Sequence, residues 1–552
     1  MFDGEINMDL LNKILNFLNS RKIEWFLFCS AVLLLVVLIG LKFYSVLIIN
    51  IPHEFREVNL VAFAKSFADE KNLYSFSALK EEIPPATNQY GLLVPLFLAP
   101  FVKIGEIFGV EALRIAQLAT IFVEIVGLLL VYLIIMKNCG NRLFAIFGAI
   151  VSYSCFWRYA AFGGAFPDQW GLTFALLMTY CVIRFEQQKQ HKVIVYALMC
   201  VVMFYIKQYF VFNAVGLSVY FIFYFSKRDF AKFVLWNTIF GAISALWVVK
   251  IFPLYFPEAI ALTSGAVGDA GWSFSLVQIK NMAFHYYPLV SVIYICLVFL
   301  QIVKLADKKF EKSEVGENLK GKFLFVQSIC MLPIVAVLSR NIGTYYTYYL
   351  QLWWIYVILY VFINLSDVVS FVADKISHRI KYSKRLIEIL LLLISVFAVS
   401  HLIVEKPLNY SQINDWKKAY GIMNIYHNKG EILVSPHLSA YCLEHNIQTS
   451  DYGQAEFNSV GNLNNFKNHW LYPEIFPETE RILLKNIEYN RQIKEKVKNR
   501  EYVLIALADM GKYSLTKEEI EASGYKKMEE IILVTGTQKW KTKFYIIGDF
   551  VN

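Results

Sequence analysis

The feature that most constrains this chain is the recurrence of apolar runs of about 18 residues or more, each long enough to cross a bilayer as a helix. In hydrocarbon every backbone N–H and C=O must be satisfied internally, so such runs fold as transmembrane helices. We place 11 spans, near 25–50, 112–136, 143–158, 168–186, 192–206, 208–226, 231–256, 285–304, 322–339, 345–364 and 386–404. Of the 552 residues, 57% are hydrophobic and only 18% charged, where a soluble chain carries about a quarter. The expected architecture is an all-α polytopic membrane domain over 1–404, with juxtamembrane helices in a first extracytoplasmic loop at 51–111. A small C-terminal α/β extracytoplasmic domain follows over 405–552.

Orientation follows from the basic loops. The segment 90–109 is apolar but carries Pro95, Pro100, Lys103 and Glu106. If it crossed the membrane, every later basic loop would invert. Laid at the outer interface, it leaves Lys137–Arg142, Arg184–Lys192, Lys227–Lys232, Lys304–Lys322 and Ser377–Arg385 on the cytoplasmic side, as the positive-inside rule requires. Arg21 and Lys22 hold the amino end in the cytoplasm, and the long run behind them reads as a signal anchor, not a cleaved signal. The net charge of +9 then belongs to cytoplasmic loops and calls for no nucleic acid. The eight Cys show no CxxC and no metal-like spacing, so they read as small apolar residues. Few sequons and no evident disulfide framework favour a bacterial inner membrane.

The tail after 405 is polar. Strand-like runs at Glu431–Ser435, Tyr502–Leu507, Glu530–Val534 and Phe544–Ile547 alternate with helical stretches at Leu438–Glu444 and Phe476–Asn499. Its size, about 140 residues, is that of an ordinary domain.

With this threading, the rarest polar groups collect on the outer face. Glu54 and Glu57 stand where the first span ends. Each serves either as a general base or cation-holding carboxylate, or as an acid capping the helix from about Arg56 to Asp69. Asp168, in Gly163-Gly164-Ala165-Phe166-Pro167-Asp168 at the outer start of a span, either lines a polar pathway or caps its helix. Lys207-Gln208 interrupts an apolar region. Lys207 either binds a phosphate as a point charge or snorkels to headgroups, and Arg158 and Arg340 leave the same choice between phosphate and headgroups. Tyr345 and Tyr348, in the run Arg340–Gln351, form an interfacial aromatic belt or a sugar-stacking surface to which His285 and Trp272 could add. There is no Walker loop, HExxH or GxSxG, and no His pair has metal-ligand spacing.

Taken in order, these elements resemble the GT-C superfamily of membrane glycosyltransferases, best the branch of protein O-mannosyltransferases and lipid A aminoarabinose transferases (glycosyltransferase family 39-like). An acidic first-loop motif looks like His53-Glu54, with His where the family has Asp. A helix at Val58–Phe67 follows, then a "G-x-x-Y" element at Lys71–Tyr74, with Lys for Gly, and a Pro-Pro-rich segment from Pro84-Pro85 to Tyr90-Gly91. Phe108-Gly109 with Arg114 resembles an "F-G" element, Phe166-Pro167-Asp168 an "R-P-D" element with Phe for Arg, Lys207-Gln208 a "K-Q" element, and Gly343–Leu352 a late Gly/Tyr/Leu element.

The resemblance implies a GT-C fold and transfer of a sugar from a polyprenyl-phosphate donor to a glycan, lipid or protein acceptor on the extracytoplasmic face. It implies Glu54 as catalytic carboxylate, with Glu57 and Asp168 positioning the acceptor or the cations. Lys207, with Arg340 or Arg158, would meet the lipid phosphate, and Gln208, Tyr345, Tyr348 and His285 the sugar or acceptor. The residues name no certain cofactor, and a divalent metal held by the carboxylates is one option. The alternatives are a lipid-linked oligosaccharide polymerase or ligase, and a transporter, which should show paired half-repeats that this chain lacks.

Overall fold

The computed structural model describes residues 20–49, 52, 57–84, 86–88, 90–157, 164–187, 192–262, 271–306, 320–340, 348–377, 410–447, 449, 459–508, 515–535 and 538–547. The helical part begins with α1 (Arg21–Tyr44), whose N-cap Ser20 accepts a hydrogen bond from the Ile23 N–H, satisfying one of the free donors of the first turn. A short helix, α2 (Glu57–Ala68), and the apolar α3 (Leu93–Ile107) fill the first loop. Long helices follow as α4 (Ala112–Cys139), α5 (Arg142–Trp157), α6 (Pro167–Gln187), α7 (Val193–Ile206), α8 (Asn213–Tyr224) and α9 (Lys227–Ile251). Then come the short α10 (Gly271–Lys280), α11 (Pro288–Ala306), α12 (Lys322–Leu338) and α13 (Tyr348–Ser377).

Ten of the expected spans fall on these helices; the one expected at 386–404 lies outside the described residues. Among the described residues, Arg21–Ile48, Ala112–Cys139, Lys227–Ile251 and Pro288–Ala306 are long and apolar enough to cross a bilayer by length and composition, and further apolar helices of 10–17 residues lie between and after them. This is a multi-pass membrane protein. The breaks have local causes. α4 stops at Gly140, in the left-handed conformation that an L side chain resists, with its N–H returned to the Met136 carbonyl. α9 ends at Ile251, short of the expected 256, because Pro253 lacks a backbone donor. α11 likewise starts on Pro288, where a missing N–H costs nothing.

α3 packs along α2 and the start of α4 through Val94, Leu98 and Val102. Phe97, Phe101, Ile104 and Ile107 remain exposed on it, an apolar face suited to an interfacial helix. The main core joins α1, α4 to α8 and α11 to α13 through large side chains such as Tyr153, Phe156, Tyr220, Trp354 and Tyr356.

After 410 the chain builds a three-layer α/β unit. α14 (Tyr410–His427) leads into β1 (Ile432–Val434) and α15 (Ser439–Glu444), followed by α16 (Val460–Lys467), α17 (Glu478–Lys498), β2 (Leu504–Ala508), α18 (Lys517–Ala522), β3 (Tyr525–Thr535) and β4 (Gln538–Ile547). The sheet order is β1-β2-β4-β3, with β1 parallel to β2 and the other pairs antiparallel. Alternate residues divide between two faces. Ile432, Val434, Leu504 and Ala506 pack under Trp416 and Met423 of α14, while Leu433, Ile505 and Leu507 pack under Ile493 and Val497 of α17. All four strand-like runs and both helical stretches read from the sequence are present. Hydrogen bonds tie the tail to the loops of the helical part. The Lys65 ammonium of α2 donates to the Leu443 carbonyl (3.0 Å) and to Asn446 Oδ1 (2.6 Å). Thr479 Oγ1 donates to the Pro257 carbonyl (3.3 Å) beside a core of Phe63, Tyr74, Leu463, Phe466 and Leu483.

Candidate functional site

The segment Gly164–Gln169, at the start of α6, gathers most of the buried charge of the helical part among the described residues. Pro167 and Asp168 open the helix, so the backbone just before them still has unspent donors. The Ala165 N–H gives its hydrogen to Glu57 Oε2 at 2.5 Å. The other Glu57 oxygen accepts from Gln117 Nε2 of α4 at 3.0 Å. Glu57 is fully buried and stands in the first turn of α2, where the helix dipole favours an acid. Capping and site-building therefore coincide in one residue: the carboxylate ties α2, α4 and the 164–168 segment together.

Asp168 makes the second link. Lys207 Nζ donates to both of its carboxylate oxygens, at 2.7 and 2.8 Å, and the Tyr209 hydroxyl donates to Oδ1 at 2.6 Å. Asp168 is 2% exposed and Lys207 7%, so this cation does not snorkel into bulk water. Lys207 can reach Asp168 because α7 ends at Ile206. The Lys207 backbone is extended (φ −161°, ψ 132°), and a 3₁₀ turn, Gln208–Phe212, separates it from α8. Its ammonium lies 4.7 Å from the Tyr90 ring centre and 5.3 Å from that of Tyr209, a cation–π cradle.

Gln169 makes the third link. Its amide donates to Glu124 Oε1 (2.8 Å) and to the Gly164 carbonyl (3.3 Å), while its Oε1 accepts from the Phe166 N–H (3.1 Å). Glu124 Oε2 in turn pairs with Lys42 of α1 at 2.5 Å, both side chains being buried. Lys42 and Glu124 are the residues that sequence reading missed, although an ionisable group inside an apolar span is itself a signal.

A further carboxylate, Glu258, approaches from the turn Pro257–Leu262. It accepts from the Asn88 N–H (2.9 Å); Asn88 Nδ2 donates to the Tyr74 hydroxyl (2.6 Å), and Asn88 Oδ1 accepts from the Tyr90 N–H (2.9 Å). Burial pushes the Glu258 carboxyl well above the usual carboxylate range, against the pull of the Asn88 N–H. Burial, then Glu258, pushes the Tyr74 hydroxyl up as well. The Tyr90 ring under Lys207 is thus set in place by Asn88, and Gln208 Nε2 donates to the Ala259 carbonyl (3.1 Å) of the same turn.

Of the residues singled out in the sequence, Glu57, Asp168, Lys207 and Gln208 converge on this assembly. Arg340 sits with its guanidinium carbon 4.6 Å from the Trp272 ring centre. Glu54, Arg158 and Tyr345 lie outside the described residues, as do the side chains of His285 and Tyr348. No group of three or more His, Cys, Asp or Glu fit to hold a metal ion occurs among the described residues. Glu57, with both oxygens bonded and no exposure, is built to hold the 164–168 segment, and Asp168 to hold the Lys207 ammonium.

No family model and no curated protein matches the chain. Solved structures similar to it include the Archaeoglobus fulgidus oligosaccharyltransferase in complex with zinc and sulfate, at 10% identity over 92% of this chain and 72% of that one, with a TM-score of 0.48. They also include ArnT from Cupriavidus metallidurans bound to undecaprenyl phosphate, at 12% identity over 93% and 97% of the two chains, with a TM-score of 0.47.

Proposed function

We propose that this protein is a GT-C-type membrane glycosyltransferase that moves a sugar from a polyprenyl-phosphate donor to an acceptor on the extracytoplasmic face. The observation that carries this reading is the buried Asp168–Lys207–Tyr209 cluster at the break between α7 and α8. A fixed cation placed where the leaving lipid phosphate gains charge needs no reorganisation during reaction, and it acts more strongly away from bulk water. Asp168 and the Tyr90 ring hold the ammonium in position for that task.

A groove of about 530 Å³ between α7, α8 and α9 supports a lipid-linked donor. Phe204, Val211, Val215, Val234 and Phe256 line it. Tyr205, two residues before Lys207, lines it as well and donates to Ser244 of α9 (3.2 Å). α9 buries very little of its own surface, so the groove borders lipid, as the site of an isoprenoid tail must.

Glu54 is assigned as the carboxylate that deprotonates or orients the acceptor, three residues before the anchored Glu57. Arg340 and Arg158 are assigned to the donor phosphate with Lys207, and Gln208, Tyr345, Tyr348 and His285 to the sugar or acceptor. Displacement by the acceptor is in line: the acceptor oxygen or nitrogen bonds to the anomeric carbon as the bond to the phosphate oxygen breaks.

The test is transfer from radiolabelled polyprenyl-phosphate sugars to membrane acceptors. The wild type should transfer label, Glu54→Gln should insert normally and transfer none, and Lys207→Ala should raise the donor KM more than the acceptor KM. Transfer by Glu54→Gln at the wild-type rate removes Glu54 from the chemistry, and no transfer from any such donor removes the reading.

A further inference from the structure

The α/β tail holds a second cleft, about 630 Å³ in volume, that the transfer chemistry does not use. Its walls come from β1, the loop after α15, the inward face of α17, and Glu82 and Ile83 of the first outer loop. That volume lies within the range of about 300–1,000 Å³ usual for small-ligand sites.

The lining states what the cleft can hold. Glu82, Glu431, Lys496, Gln492, Asn446 and His445 contribute hydrogen-bonding groups of both kinds. Glu431 and Lys496 lie within ion-pair distance of each other (3.6 Å), so the walls carry no excess positive charge for an anion. Burial, and then the neighbouring His427, pulls the His445 ring's affinity for a proton down, which favours a neutral imidazole. The same residues are too polar for an apolar occupant, and no three-ligand metal group stands there among the described residues. Tyr489 and Tyr502 add phenol rings to the wall, and the His445 ring lies 4.1 Å from the ring of Tyr441. Mixed donors and acceptors, the one acid Glu82 beyond the Glu431–Lys496 pair, and several rings suit a hydroxyl-rich ligand that carries no negative charge.

The place of the cleft gives that ligand a role. Asn446 lines it and also accepts from Lys65 of α2. Along α2, Lys65 stands eight residues from Glu57, about 12 Å at the helical rise of 1.5 Å per residue. The cleft and the 164–168 segment therefore share one rigid helix.

We propose that this cleft is a saccharide site that holds the distal part of a glycan acceptor while its growing end reaches the transfer site. Its role in the reaction rests on the transfer reading; saccharide binding itself does not.

Both are separated by measuring binding and transfer on the full-length protein in nanodiscs. The binding probes are neutral hexose and N-acetylhexosamine oligosaccharides of two to six units, hexuronate oligosaccharides, and a mixed peptide library. The wild type should bind neutral oligosaccharides in preference to the other two probes. Gln492→Leu and Lys496→Gln, both lining the cleft from α17, should each weaken that binding about tenfold. Absence of saccharide binding by the wild type, preference for hexuronates or peptides, or binding unaffected by both α17 variants overturns the proposal. Cleft-dependent saccharide binding in a protein that transfers no sugar keeps the cleft and sinks the transfer reading. Normal transfer without saccharide binding does the reverse.

Discussion

The Lys42–Glu124 pair offers the sharpest test of whether the site is held from within the membrane. Lys42 Nζ and Glu124 Oε2 are 2.5 Å apart, both side chains are buried, and the second Glu124 oxygen receives Gln169. Lys42→Met leaves a buried carboxylate with one neutral partner, and Glu124→Gln leaves a buried ammonium facing a neutral amide. Removing one member of a buried pair costs about 3–5 kcal/mol, because the remaining charge is uncompensated. In Lys42→Met/Glu124→Gln no charge remains. The amide introduced at position 124 still accepts from Gln169, and the defect is its N–H group facing a thioether side chain at position 42, worth about 1–3 kcal/mol. The double variant should thus be more stable than either single one, with coupling of at least about 2 kcal/mol between the sites. Unfolding in mixed micelles, followed by labelling of the buried thiols Cys155 and Cys200, measures this. Single variants within about 0.5 kcal/mol of wild type, the range of an ordinary surface change, or strictly additive losses, would refute the pairing. A functional readout accompanies it: hydrogen exchange at the Phe166 amide should quicken in Lys42→Met and recover in the double variant, since Gln169 joins Glu124 to that N–H.

Four further outcomes are expected. Tyr209→Phe removes one of the three hydrogen bonds on Asp168 and should lower transfer several-fold without unfolding the protein, as a transfer assay beside a thermal scan will show. Gly91→Ala should be far worse than a usual Gly→Ala change: the added Cβ would run into the Ile206 carbonyl, backbone against backbone, and displace Lys207. Donor KM is the readout, and an unchanged value refutes the assignment. Glu444, on α15, is raised to about 7 by burial and then by Glu111, against Arg114 and Lys65. An acid raised on folding contributes stability that is present below its ordinary value and lost as pH climbs through the folded one. Proteolysis of the α15 region should therefore be slower at pH 5 than at pH 8, and Glu444→Gln should flatten the difference. Asn88→Ala takes a hydrogen-bond partner from Tyr74 and from the Tyr90 N–H and loosens the backbone that serves Glu258, so it should cost about 2 kcal/mol or more, detectable as a lowered unfolding midpoint.

Much of this architecture was legible in the sequence, and the residues show why. Apolar runs identify helices because bilayer thickness sets their length. The tail's strands were legible because β1 and β2 are short apolar runs between turn residues. Their order was not: the parallel pairing of Ile432 with Leu504 joins segments distant in the chain, and periodicity within a segment does not name its partner. The candidate site divides in the same way. Asp168 and Lys207 stood out as charges at span ends, each with two open roles, capping or snorkelling against function. Their pairing closed the question for Lys207, since a side chain held by two carboxylate oxygens and 7% exposed is not reaching for headgroups.

What the sequence alone determined is therefore the one-dimensional part: which segments are apolar and helical, and which segments of the polar tail are strands; the breaks at Pro253 and Pro288 appeared only in the structure, since apolarity runs on across both. Only the tertiary structure decided that Lys42 answers Glu124, that Ala165 gives its N–H to Glu57, and that Asn88 joins Glu258 to the ring beneath Lys207. Those links depend on desolvation. Burying a charge is tolerable only with a partner at hydrogen-bond distance, and which residue arrives there is settled by how α1, α4 and α6 pack, a property of the assembled bundle that no single segment carries.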